Sequence, residues 1–100
     1  MLERYVLLRL SSDSSGPEEL SAWASKAQSA FPLMDGVAEF RVARETAKAT
    51  GGPWHLAFTI CFADHDAHDR YMRCAKHAEF DAELAMSLDD LQSFLLTRHQ

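Results

Sequence analysis

"WHLAFTICFADHDAHDRYM", residues 54–72, changes its periodicity halfway along. From 54 to 62 the bulky residues alternate, with Trp54, Leu56, Phe58, Ile60 and Phe62 on one face and His55, Ala57, Thr59 and Cys61 on the other. A period of two in aromatic and β-branched residues reads as a strand with one strongly buried face. Asp64 then offers a side-chain acceptor to the free N–H groups of a first helical turn. Ala67, Tyr71 and Cys74 follow it at helical spacing and are expected to face inward. The segment is a strand that feeds a helix folded back onto it.

Upstream, "VAEFRVARE" (37–45) alternates as well, Ala38, Phe40 and Val42 against Glu39 and Arg41, and "TAKATGGP" (46–53) joins it to the central strand as a long hairpin loop. Asp35-Gly36 reads as a turn. "RYVLLRL" (4–10) is apolar enough for a strand buried on both faces. After "SSDSSGPEEL", Leu20, Trp23, Ala27 and Phe31 recur at helical spacing and Pro32 ends the element. Ser15 and Glu18 have capping-box spacing, with Pro17 suited to the first turn. Downstream, a shorter helical stretch carries Phe80 and Leu84, and "LQSFLLTRH" (91–99) closes the chain as a strand.

The order β-α-β-β-α-β, with an extra helical turn before the last strand, predicts an α+β fold. It is the ferredoxin-like, split βαβ arrangement: a four-stranded antiparallel sheet with helices on one face. One hundred residues support one core, so residues 1–100 form a single domain. The uncovered face would carry Tyr5, Leu7, Ala57, Thr59 and Cys61, too apolar for open water. A second sheet is the natural cover, which predicts a two-fold homodimer closed into an α/β barrel.

Composition excludes several classes. Fifteen acidic against ten basic residues, a formal charge of −5, leave no basic cluster for nucleic acid or an anionic membrane. Glu3 and Arg4 interrupt any apolar leader, so a cytoplasmic protein is expected, with Cys61 and Cys74 as reduced thiols. Gly-rich phosphate loops, Ser-His-Asp spacing and haem motifs are all missing from the sequence, and no cofactor is expected.

"RYVLLRL", "LMDGVAEFRVAR" and above all "PWHLAFTICFADHDAHDRYMRCAKHAEF" resemble the stress-responsive A/B-barrel (Dabb) family across nearly the whole chain. The resemblance implies a dimer whose sheets pack face to face. It also implies a pocket between sheet and helices. In a cofactor-free polyketide cyclase of that family, a Tyr on the second helix and the last His of an "HPAH" motif carry an aldol ring closure. These fall on Tyr71 and His77. The family's first-strand His falls on Arg4, its third-strand pocket His falls on Leu56 while His55 points the other way, and "HPAH" has become "CAKH". Two of four polar pocket groups therefore remain, and with no Pro before His77 the helix is free to run on.

Tyr71 and His77 are thus the catalytic candidates: a phenol to polarise a carbonyl and an imidazole to remove an activated proton. Val6, Leu8, Leu56, Phe58 and Ile60, roofed by Trp23, Tyr71 and Phe80, are the candidate pocket lining. His65 and Asp69, like Asp64 and His68, stand at a spacing that can bite one metal ion. Acids in a first helical turn suit its positive end without any ion, however, and the histidines are expected to face solvent, so no metal is predicted. Arg4 and Arg9 read equally as dimer contacts or an anion site. Two functions stay open: a homodimer binding a small apolar or aromatic molecule, and a cofactor-independent enzyme, cyclase-like or monooxygenase-like, working through Tyr71 and His77.

Overall fold

The computed structural model describes residues 1–46 and 52–99. Its elements are β1 (Leu2–Leu10), α1 (Pro17–Ala30), β2 (Glu39–Arg44), β3 (Leu56–Phe62), α2 (His65–Met72), α3 (Ala75–Ala85) and β4 (Leu88–Thr97). The strands pair antiparallel in the order β2-β3-β1-β4. This is the α+β, ferredoxin-like sheet with its helices on one face. No helix among the described residues is long and apolar enough to cross a membrane.

Strand alternation decides what each face carries. On β1, Leu2, Val6, Leu8 and Leu10 are buried under the helices, and on β3, Leu56, Phe58, Ile60 and Phe62 are. Phe31, just past α1, sits at the centre of the helix-facing layer. Its ring lies 4.5 Å from Phe40, 5.3 Å from Phe58 and 4.9 Å from Phe80, centroid to centroid. Such offset and edge-on contacts add to the transfer energy of the buried rings. Gly36 closes the turn before β2 with φ +85°, and a Cβ there would stand 2.0 Å from the Ala67 carbonyl oxygen. That turn therefore packs directly on α2.

On the other face, Tyr5 stacks on Phe94 at 5.6 Å, and Leu96 stands beside them. Phe94 and Leu96 are 39% and 51% exposed, so this face keeps a wet apolar strip. Cys61 belongs to the same face but is fully buried, with the Arg98 guanidinium 3.7 Å from its sulfur and an Arg98–Glu3 ion pair at 2.5 Å beside it.

Several local expectations are corrected. The α1 N-cap is Gly16, with no side-chain cap, and the Ser15 hydroxyl donates to the Ser12 carbonyl instead; no Ser15–Glu18 capping box forms. Pro17 occupies the first turn as expected. The helix does not run on through "CAKH". It stops at Met72, and Cys74 adopts an extended conformation (φ −71°, ψ 126°) that starts α3. The Arg73 and Cys74 amides close the end of α2 by bonding back to its last carbonyls, so the break needs no proline. The expected extra turn is an 11-residue helix, longer than the 8-residue α2.

β4 begins three residues earlier than expected, at Leu88, because a register shift at Arg9/Leu10 lets Leu10 pair with Leu88. The Leu10 amide is satisfied there by donating to His55 Nδ1 at 3.0 Å. β2 is shorter than 37–45: the turn holds Val37 and Ala38 outside it, and Ala38 is exposed. Of the expected 46–53 loop, residues 47–51 lie outside the described residues.

Candidate functional site

A cavity of about 150 Å³ lies between the sheet and the paired helices α2 and α3. β1 contributes Arg4 and Val6, β3 contributes Phe58 and Ile60, and β4 contributes Leu91 and Ser93. Phe31 closes one wall, and Tyr71, Met72, His77, Asp81 and Leu84 form the helical side. Met72, Asp81 and Leu91 are exposed, so the mouth opens beside the edge strand β4.

The break at Cys74 brings Tyr71 and His77 together. It turns the chain so that the last turn of α2 and the first turn of α3 face one another, and the two rings stack at 4.0 Å with 27° between their planes. His77 is half-buried and its Nε2 stands 3.0 Å from the Asp81 carboxylate, one helical turn on. Donation from Nε2–H to that carboxylate orients the imidazole ring. Burial pushes the Tyr71 phenol well above its ordinary pKa, with the Asp81 charge adding to the rise. Tyr71 stays a neutral donor at physiological pH. Among the described residues, no hydrogen bond from its hydroxyl is found and no buried side-chain polar atom is left orphaned, so the hydroxyl is open to the cavity.

Arg4 shares the helix-facing side of β1 with Val6. Its guanidinium lies 3.2 Å from the Ser93 hydroxyl and 3.5 Å from His68 Nε2. His68 is not solvent-facing as the helical phase suggested. Its ring packs edge-on against Phe62 at 5.1 Å, since His68 lies one position from Ala67 and three from Tyr71 on α2, both of them buried. Burial, reinforced by the Arg4 charge, lowers the His68 pKa below its ordinary value.

The remaining predicted residues fall in three places. Val6, Phe58 and Ile60 line the cavity. Leu8, Leu56 and Phe80 are buried in the solid core beside it, where neighbouring side chains fill the space. Trp23 lies edge-on to Phe80 at 5.9 Å and borders a separate surface groove with Lys26 and Glu83; its helix, α1, packs on β2, at the sheet edge opposite β4. The lining residues Arg4, Phe31, Met72, Asp81, Leu84, Leu91 and Ser93 were not among the expected pocket residues. Ser93 was visible as a polar residue between Leu91 and Leu95 and in phase with both on the last strand, as Arg4 was in phase with Val6 and Leu8.

In the His/Asp window, Asp64 caps α2 by accepting from the Ala67 amide at 2.9 Å. His65, Asp66 and Asp69 are exposed, and Asp66 faces Arg70 at 3.8 Å. No cluster of three or more His, Cys, Asp or Glu suited to a metal ion occurs among the described residues. At the helix junction, backbone amides of Asp35, His77 and Lys76 face the Cys74 sulfur and hold its pKa below the usual thiol value. Burial raises that of Cys61.

No family model matches the sequence, and no curated protein does. Solved structures do match. A protein of Arabidopsis thaliana superposes with a TM-score of 0.82 at 16% identity, over 100% of this chain and 97% of its own. A Dabb family protein with a ferredoxin-like fold from Mesorhizobium loti gives 0.80 at 20% identity, over 99% and 97%. A dimeric protein of unknown function with a ferredoxin-like fold from Bacteroides fragilis gives 0.74 at 17% identity, over 95% and 93%. The chain has the ferredoxin-like fold found in the Dabb family protein and its dimeric structural neighbours.

Proposed function

We propose that the chain is a stress-responsive A/B-barrel (Dabb) protein that acts as a homodimer and binds one small apolar or aromatic molecule per subunit. The observation that carries the binding reading is the cavity: about 150 Å³, lined mainly by apolar side chains, with Tyr71, His77 and Arg4 converging on it. A volume of that order accommodates a benzene-sized body. An apolar pocket with a few convergent polar groups is the usual form of a small-molecule site. The homodimer reading is supported by the wet strip of Tyr5, Phe94 and Leu96 and by the dimeric state of the Bacteroides fragilis neighbour.

The test is calorimetric titration with phenol and acetophenone against wild type and Val6→Phe, which fills the cavity from the sheet side. Binding is expected for wild type and lost in the variant. Equal binding to both would place the ligand elsewhere.

One observation favours a second reading, cofactor-independent acid–base chemistry. Tyr71 and His77 line the same cavity, and Asp81 orients the imidazole. His77 would take a proton from a carbon between two carbonyls while the Tyr71 hydroxyl donates to the oxygen that gains charge. The resulting enolate would add to a second carbonyl of the same molecule, forming the ring bond, and the proton would return to the new alkoxide. A linear poly-β-ketone incubated with wild type and His77→Ala separates the readings. Cyclised product from wild type alone supports catalysis, and no product above background leaves binding as the function.

A further inference from the structure

The arginines of this chain differ in what they face. Arg9 meets Asp89 at 2.8 Å and Asp90 at 3.8 Å. Arg70 meets Asp35 at 3.3 Å and Asp66 at 3.8 Å, and Arg98 meets Glu3 at 2.5 Å and Glu39 at 3.7 Å. Arg4 sits half-buried in the cavity wall and, among the described residues, forms no ion pair with a carboxylate; it meets the Ser93 hydroxyl and His68. A guanidinium drawn out of water without a carboxylate is unfavourable, and it gains most from an anion that reaches it. Among the described residues the one carboxylate lining the cavity, Asp81, is 57% exposed at the mouth and engaged by His77 at 3.0 Å. The cavity is therefore polarised, cationic at the sheet and hydrogen-bonding at the helices, with Phe58, Ile60, Leu84 and Phe31 between.

We infer that the cavity selects small carboxylates, with the ligand's carboxylate on the Arg4 guanidinium and Ser93 hydroxyl and its aromatic or short acyl body against Phe31, Phe58 and Ile60. This rests on the reading of the cavity as a ligand site and names its substrate class. The planar guanidinium suits a carboxylate in two-pronged fashion, which an ammonium cannot reproduce. It also separates the two sequence-level roles of the arginines: Arg9 is a neutralised strand contact, and Arg4 is the anion receptor.

Benzoate and its neutral isostere benzamide, titrated by calorimetry, provide the test. Wild type should bind benzoate at least roughly tenfold more tightly, the scale of a charge-assisted hydrogen bond. Arg4→Met should erase the difference by weakening benzoate alone, and Arg4→Lys should keep part of it. Should Arg4→Met not fold, Ser93→Asp tests the same point, because it sets a carboxylate beside Arg4 and should remove the benzoate preference while benzamide still binds. Equal affinities in wild type, or a preference that survives both Arg4→Met and Ser93→Asp, would overturn the inference. If both ligands bind alike and Val6→Phe abolishes both, the cavity remains a ligand site and only the carboxylate selectivity falls. If neither ligand binds, the cavity reading fails and takes this one with it.

Discussion

Phe31→Ala perturbs the core and the cavity at once. Phe31 is 2% exposed, and its ring contacts Phe40, Phe58, Phe80 and Tyr71 while forming one cavity wall. Truncating a buried Phe costs about 3–5 kcal/mol, and four aromatic neighbours place this site toward the upper end. A loss of about 4 kcal/mol is a large part of the stability of a 100-residue domain, and at ~4–8 °C per kcal/mol it lowers the melting temperature by at least ~15 °C. Urea unfolding at one fixed protein concentration measures it, with the slope unchanged, since a dimer would make the midpoint concentration-dependent. Because the lost ring enlarges the cavity, a small aromatic ligand should restore part of the loss. At one hundred times its dissociation constant it returns about 2.7 kcal/mol. A loss below ~1.5 kcal/mol would refute the central place given to Phe31, and a ligand that stabilises wild type but not the variant would refute its place in the cavity wall.

Phe94→Asp, on the exposed strip beside Tyr5, should convert a species of about twice 11.2 kDa to a monomer in sedimentation at micromolar concentration, with the subunit still folded. A monomeric wild type would remove the barrel instead. His68 is held neutral in the folded chain, so between its lowered pKa and the unfolded value near 6.5 the unfolded chain binds the extra proton. Stability contributed by the neutral form is therefore complete above pH ~6.5 and falls as the pH drops toward the folded pKa. Thermal melts between pH 7.5 and 5 should show that slope in wild type and a flatter one in His68→Asn. Iodoacetamide should label Cys74 well before Cys61, whose thiol is buried and raised in pKa; equal rates on the native protein would contradict the helix-junction geometry.

Periodicity made most of the fold legible. The alternation from Leu56 to Phe62 and the Asp64 cap defined β3 and α2, and the apolar residues of β1 fell in phase with them. What escaped lay where backbone geometry outranks side-chain pattern. The break at Cys74 is closed by amides bonding back to α2, a device that leaves no proline or glycine mark. The earlier start of β4 depends on a register shift that only pairing with β1 reveals. For the cavity, Tyr71 and His77 were singled out by resemblance, and Asp81, one helical turn past His77, was not among the candidates. Leu8, Leu56 and Phe80 share the face of the lining residues, and pattern alone does not say where along that face packing leaves a gap. Arg4 was legible in principle, as a charge in phase with Val6, Leu8 and Leu10, but that it meets Ser93 and His68 and no acid among the described residues is a tertiary fact.

The most direct measurement is a nuclear magnetic resonance titration of the ¹³C,¹⁵N-labelled protein with benzoate, following backbone amides together with the His77 imidazole and Arg4 guanidinium signals. The cavity reading predicts saturable shifts gathered on Arg4, Val6, Ser93, Tyr71 and His77, with Trp23 and the Tyr5–Phe94 strip unmoved. Shifts confined to that strip or to the Trp23 groove, with His77 and Arg4 unchanged at saturation, would contradict it.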